Sequence, residues 1–364
     1  MSKLILEYIW IGGNNEIRGK TKILDLNDND IKLENLPIWN YDGSSTDQAE
    51  GTDSEVILHP IRLYHNPFEL THETSNNNCF KNYIVLCETY LKDGSPHPTN
   101  TRSNAKKIFD KYSDQEPWYG IEQEFFMIDN NTQQPLGFNR DGSAKPQGQY
   151  YCSVGAGNCY GRDIAQEMLY KCLEIGLNIT GLNFEVAPGQ CELQIRDVGI
   201  KAADDLILMR YILQRVAEKH NVRIDITAKP VKGDWNGSGC HVNFSTKQMR
   251  EPGGYQIILD SMKKLEHKHK EHINIYGDDN IYRLTGKHET SSMDKFSFGI
   301  ANRGASIRIP NSTKIDGMGY FEDRRPSSSM DPYLVLSKLL DTVCGELNIE
   351  VYSNENSFSI NHNN

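Results

Sequence analysis

The stretch Trp118-Tyr119-Gly120-Ile121-Glu122-Gln123-Glu124-Phe125-Phe126 constrains this chain more than any other. Apolar and aromatic residues dominate it, which fits a strand inside a sheet. Alternation along a strand sends Glu122 and Glu124 to one face and Ile121, Gln123 and Phe125 to the other. Two carboxylates held side by side repel, and both ionise cheaply only when a cation sits close. A wet sheet face also accommodates such a pair, so the weight falls on whether other stretches repeat the pattern.

They do. Glu185 closes residues 181–185, and after the Pro188-Gly189 turn Glu192, Gln194 and Arg196 alternate with Cys191, Leu193 and Ile195. Residues 235–245 read as a glycine-rich turn entering a strand, with His241, Asn243 and Ser245 on one face and Cys240, Val242 and Phe244 on the other. In residues 319–326 the same parity sets Glu322 beside Arg324. Hard oxygen donors with a single imidazole match two or three Mg²⁺ or Mn²⁺ ions, whereas structural zinc would recruit the cysteines. Arg283, Arg303, Arg308, Arg324 and Arg325 supply positive charge, and the polar run His288-Glu289-Thr290-Ser291 suits a flap that excludes water. Metal ions, carboxylates and arginines together point to phosphoryl transfer. The residues alone reach a nucleotide-dependent, multi-metal enzyme acting on an anionic substrate, with ligase and phosphatase both open.

Charge narrows the partners. With 39 basic and 49 acidic residues the net charge is −10, which argues against nucleic-acid or anionic-membrane surfaces. No apolar run approaches the ~20 residues a membrane span needs. The first residues read as a strand, without the layout of a signal or transit peptide. Eight cysteines without a Cys-x-x-Cys pair are expected to be free thiols in a reducing compartment, the cytosol.

A length of 364 residues suits two domains. Residues 1–92 read as a small β-rich unit with strands at 4–11, 21–24, 54–61 and 83–91, and residues 39–46 as a loop. The breaker run Asp93-Gly94-Ser95-Pro96-His97-Pro98 marks the boundary to a second unit, 93–364. There the periodicity predicts helices over 103–113, 162–176, 204–220, 252–275 and 331–347, with a frayed polar tail over 353–364. The lysines among His267, His269 and His272 predict a solvated helix end. The glycine runs at 13–21 and 155–161 each miss a nucleotide-loop spacing by one residue.

Eight stretches, in order, resemble the glutamine synthetase family in its shorter, eukaryote-type form: residues 39–46 (Trp-Asn-Tyr-Asp-Gly-Ser-Ser-Thr), 120–124, 146–151, 161–164, 235–245, 283–291, 303–310 and 320–326. The resemblance implies an α+β protein, with an N-terminal β-grasp domain and a C-terminal α/β catalytic domain built on a curved antiparallel sheet. It implies ligation of ammonium to L-glutamate with ATP as co-substrate, through γ-glutamyl phosphate. Glu124, Glu185 and Glu192 would ligate one metal, and Glu122, His241 and Glu322 another. Trp235, Asn236, Gly237, His241, Arg283, Arg303 and Arg324 would bind glutamate. Glu192, Asn243, Phe244, Ser245, Arg303, Arg308 and Tyr320 would meet ATP. Asp42, Glu289 and Arg303 would be catalytic, Asp42 reaching a neighbouring subunit's site within two stacked five-membered rings. Cys191 stands where the family has tryptophan, and Gly304 where it has serine or alanine. A related glutamate–amine ligase and a catalytically silent relative are the alternatives; retention of Asp42, Glu289 and every matched ligand favours ammonium.

Overall fold

The computed structural model describes residues 3–25, 31–68 and 80–346. Cys79, the last residue of the expected 331–347 helix and the 353–364 tail lie outside them.

A first sheet is built from β1 (Lys3–Ile11), β2 (Ile17–Asp25), β3 (Trp39–Asp42), β4 (Glu55–His65) and β5 (Phe80–Tyr90). The strand order is β2-β1-β5-β4-β3, with β1 and β5 parallel at its centre and the other pairs antiparallel. This is the expected β-grasp arrangement. Alternation along β1 buries Leu4, Leu6, Tyr8 and Trp10 in a small core with Tyr41, Val56, Leu58 and Val85. The opposite face sends Ile9, Ile84 and Leu86 into the main core of the molecule. Several expected bounds shift here: β4 runs on to His65, past the expected 61, and β5 starts at Phe80, before the expected 83. β2 starts four residues before the expected 21, because Ile17, Arg18, Gly19 and Lys20 pair with β1 although they carry no apolar alternation. The 39–46 loop begins as β3, paired with β4 from Trp39↔Leu58 to Asp42↔Glu55, before turning through residues 43–46.

The second sheet has nine strands: β6 (Trp118–Asp129), β7 (Gln134–Pro135), β8 (Ile179–Phe184), β9 (Gln190–Val198), β10 (Val222–Asp225), β11 (Cys240–Ser245), β12 (Phe298–Ile300), β13 (Ile307–Ile309) and β14 (Phe321–Asp323). The main path runs β12-β13-β14-β11-β6-β9-β8, while β7 and β10 pair with the far end of β6. The sheet is antiparallel as expected except at β12–β13, which are parallel. Phe125, Leu193, Val242, Phe244 and Phe321 fill its apolar face. Against that core lie α1 (Thr101–Lys111), α2 (Arg162–Glu174), α3 (Lys201–Lys219), α4 (Gly254–His267) and α7 (Pro332–Cys344), with α3 against β9, β10 and β6, and α7 against α1, α3, α4 and the short α5 (His269–Ile273); α6 (Asn311–Asp316) follows β13. Fully buried Asp204 on α3 ties the two sheets together: it accepts from Arg62 of β4, Arg102 of α1 and Tyr333 of α7.

The expected helix 252–275 is two helices broken at Lys268, and the solvated histidine cluster is corrected. Only His267 faces solvent; His269 and His272 are buried. His272 bonds Tyr276 through Nδ1 and Thr342 through Nε2, and His269 bonds the Met293 carbonyl and Arg325. Spacing explains the misreading: residues 269, 272, 273 and 276 share the inward side, and the lysines between them point out. No helix among the described residues is long and apolar enough to cross a membrane. The seven described cysteines are free thiols.

Candidate active site

The polar face of the second sheet is assembled by register. Glu124 on β6 stands opposite Glu192 on β9, which stands opposite Asn183 on β8. One row along, Glu122 lies between Gln194 of β9 and His241 of β11. A further row sets Glu322 of β14 between Asn243 of β11 and Arg308 of β13. Glu185 follows the last residue of β8. All six predicted ligands line one cavity of about 520 Å³, together with Asn236, Gly237, Arg283, Glu289, Arg303, Arg308 and Arg324.

The donor geometry is tight. His241 Nδ1 lies 3.3 Å from Glu122 Oε2 and 3.4 Å from Glu322 Oε1, while Nε2 lies 4.0 Å from Glu124 Oε1. One donor atom each from Glu122, His241 and Glu322 falls within 4.8 Å of the others, the spacing of a metal-ligand group. Burial and the neighbouring Glu185 push the Glu124 carboxyl up to about 8. Burial and Glu192 push Glu185 up to about 7, and burial with Glu122 and Glu124 pushes Glu192 up to about 8. Burial, then the adjacent Arg324, holds His241 well below its usual range, so the imidazole is neutral. Carboxylates crowded until they prefer protons, beside a neutral imidazole, are a donor set that divalent cations fit.

Positive charge closes the remaining sides. Arg324 Nη1 donates to Glu322 Oε1 at 2.6 Å, Arg308 Nε donates to Glu322 Oε2, and Arg283 Nη2 contacts His241 Nε2 at 3.0 Å. Burial pushes the Arg283 guanidinium down to about 10 despite the attraction of Glu124. The turn at 235–239 approaches so closely that only glycine fits: a Cβ on Gly237 would lie 2.5 Å from the Ala228 carbonyl oxygen, and one on Gly239 2.7 Å from His241 Nε2. The 288–290 loop lines the cavity. His288 and Glu289 both hold positive φ (54° and 58°), the Glu289 carbonyl accepts from Arg324, and its carboxylate lies 3.9 Å from Arg303. His288 pairs with Asp234 at 2.9 Å and contacts Gln147, whose Oε1 accepts from the Asn236 amide.

Other predicted residues lie outside the cavity lining. Trp235 packs behind the turn on Phe138. Asn243 steadies Glu122, donating to its Oε1 at 2.8 Å. Ser245 Oγ accepts from Arg250, and Tyr320 is exposed, its main chain hydrogen-bonded to Thr313 Oγ1. The Phe244 side chain is fully buried on the apolar face, so any contact it makes with a nucleotide is through its main chain. Asp42 lies on the first sheet, exposed, its carboxylate accepting from Ser44 and Ser45. Cys191 and its neighbours close the packing on the core side of β9. Five cavity residues had no role in the sequence reading: Gly148, Tyr151, Asn183, Val186 and Gln194. The parity of Gln194 with Glu192, and the 146–151 stretch, were the available signals.

A carboxylate-rich cavity fit for divalent cations, ringed by arginines and lined by the polar 288–290 loop, defines a metal-binding enzyme for anionic substrates. Comparison with known proteins gives the family. The profile of the "Glutamine synthetase, catalytic domain" matches residues 98–266. A putative glutamine synthetase of Acanthamoeba polyphaga mimivirus is 52% identical over 93% of this chain and 94% of its own length. A glutamine synthetase nodule isozyme of Medicago sativa is 50% identical over 93% and 94%, and a glutamine synthetase cytosolic isozyme of Pinus sylvestris 48% over 93% and 93%. The chain belongs to the glutamine synthetase family; it is a glutamate–ammonia ligase.

Proposed function

We propose that the chain joins ammonium to the side-chain carboxylate of L-glutamate at the expense of ATP, giving L-glutamine, ADP and phosphate through γ-glutamyl phosphate. The observation that carries this reading is the convergence of six metal-type donors and four arginines on one cavity. Glu124, Glu185 and Glu192 would hold one Mg²⁺ or Mn²⁺, and Glu122, His241 and Glu322 would hold another. Such cations would let the crowded carboxylates ionise together and would supply charge neutralisation to phosphate oxygens.

Asn236, Gly237 and His241, with Arg283, Arg303 and Arg324, hold glutamate, and Trp235 supports the turn from behind. Glu192, Asn243, Ser245, Arg303, Arg308, Tyr320 and the main chain at Phe244 place ATP. The glutamate carboxylate then attacks the γ-phosphorus in line: an O–P bond forms, the bond to the ADP oxygen breaks, and Arg303 neutralises charge on the moving group. Glu289, on the 288–290 loop acting as a lid, keeps water from the acyl phosphate. Asp42 of a neighbouring copy accepts a proton from ammonium, because only neutral ammonia has the lone pair that attacks the acyl carbon and expels phosphate. This assigns residues 1–92 to a domain that delivers Asp42 next door, and 93–364 to the catalytic domain. Closed rings, two stacked pentamers, follow from such head-to-tail sites. The cytosol is the proposed compartment, in line with the name of the Pinus sylvestris relative.

The test is phosphate release from ATP with and without glutamate and ammonium, in Mg²⁺ and in Mn²⁺. Release that needs glutamate and yields one glutamine per phosphate when ammonium is present supports the reading; release indifferent to glutamate overturns it.

A further inference from the structure

The amide of Gln190 touches the site from behind and has no part in the chemistry above. Gln190 is 1% exposed, at the start of β9, directly after the turn that follows Glu185. Its Nε2 lies 3.2 Å from Glu124 Oε2, 3.1 Å from the Gly237 carbonyl oxygen and 3.5 Å from Ser238 Oγ. The Gly237 carbonyl can only accept, so it fixes which end of the Gln190 side chain is nitrogen. The other end, Oε1, is buried with no hydrogen-bond partner among the described residues. A leucine or methionine would fill the same space without leaving that oxygen unpaired, so packing alone does not account for an amide here.

The amide connects two parts of the site. Glu124 Oε2 accepts from Gln190 Nε2 and, at 2.9 Å, from the Gly239 amide. Two donors on Oε2 turn the carboxylate so that Oε1 is the oxygen on the side of His241 Nε2. The same Nε2 hydrogen-bonds the carbonyl of Gly237, a cavity residue with no room for a side chain between Ala228 and Arg283. We infer that Gln190 is a positioning residue: it sets which Glu124 oxygen meets a divalent cation, and locks the 237–239 turn to that orientation. The link between cation and glutamate rests on the functional reading above; the orientation of Glu124 does not.

The experiment compares the full-length protein with Gln190→Leu and Gln190→Met, two shapes without a donor. Mn²⁺ is titrated calorimetrically with no substrate present, and KM is then measured separately for glutamate and ATP. Outer donors of this kind are typically worth about 10–100-fold in metal affinity. One class of Mn²⁺ site is expected to weaken by that factor, with the other within a few-fold, the unfolding midpoint without metal nearly unchanged, and the KM for glutamate rising more than that for ATP. Mn²⁺ affinities within about twofold of the unsubstituted protein in either folded variant overturn the inference. So does a loss of thermal stability with no selective change in Mn²⁺ binding, since that is a packing role. Failure of the functional reading shows elsewhere, as absent glutamate-dependent phosphate release in the unsubstituted protein, and leaves the Mn²⁺ comparison decisive.

Discussion

Glu124, Glu185 and Glu192 sit where burial and mutual repulsion favour the proton, which gives their chemistry a pH signature. Their folded-state pKa values, about 8, 7 and 8, stand above the ordinary carboxylate value, so their contribution to stability is fully present below ~4.3 and lost as pH rises through 7 to 8. A divalent cation replaces the protons and returns what ionisation costs. The rise in unfolding midpoint on adding Mg²⁺ is therefore expected to be larger at pH 8 than at pH 6; an equal rise at both values contradicts the shared-cation account. Glu124→Ala is expected to lower glutamine synthesis by at least about 100-fold while leaving a folded oligomer, measured by turnover beside size-exclusion chromatography. Near-normal turnover removes Glu124 from the site.

At the scale of elements, strand parity carried most of the site into view. Glu122 with Glu124, Glu192 with Gln194, and His241 with Asn243 could be placed on common faces because a side-chain period of two needs no knowledge of the partner strands. Which strands adjoin was not readable, since β6, β9, β11 and β14 come from distant parts of the chain and meet only through tertiary pairing. Gln190 was invisible for that reason: its amide matters through Glu124 and Gly237, far from it in sequence. His269 and His272 were misread because the lysines between them supplied the louder signal. The lid was legible as a polar loop but its fastening was not. Two successive non-glycine residues at positive φ, at a typical cost of about 1–3 kcal/mol each, are held in place by Asp234, Gln147, Arg303 and Arg324. His288→Ala releases two of these fastenings and should loosen water exclusion more than binding. The expected outcome is phosphate released in excess of glutamine formed, with the KM for ATP little changed; tight one-to-one coupling would show that His288 does not fasten the lid.

At the scale of the whole molecule, the distribution of functional residues between two sheets is what asks for neighbours. Asp42 stands on the first sheet and is absent from the residues lining the cavity of its own chain. A ring in which each cavity borrows Asp42 from the next copy makes a prediction that a self-contained chain does not. Asp42→Asn and Glu124→Ala chains, each inactive alone, should regain about a quarter of full activity when co-expressed into mixed rings, because that fraction of sites pairs an intact Asp42 with an intact Glu124. Activity no greater than that of either variant alone would place Asp42 outside the reaction or within its own chain. The two-sheet organisation was readable from composition and breaker residues; the buried hub at Asp204 that joins the sheets through Arg62, Arg102 and Tyr333 was not, because charged residues on a helix ordinarily read as solvent-facing.

The account rests on six side chains caging divalent cations, and a Mn²⁺-binding stoichiometry at pH 8 addresses that directly. At least two ions per chain are expected, with one class lost in Glu124→Ala and the other in Glu322→Ala. Fewer than two ions, or a stoichiometry untouched by both substitutions, would contradict it.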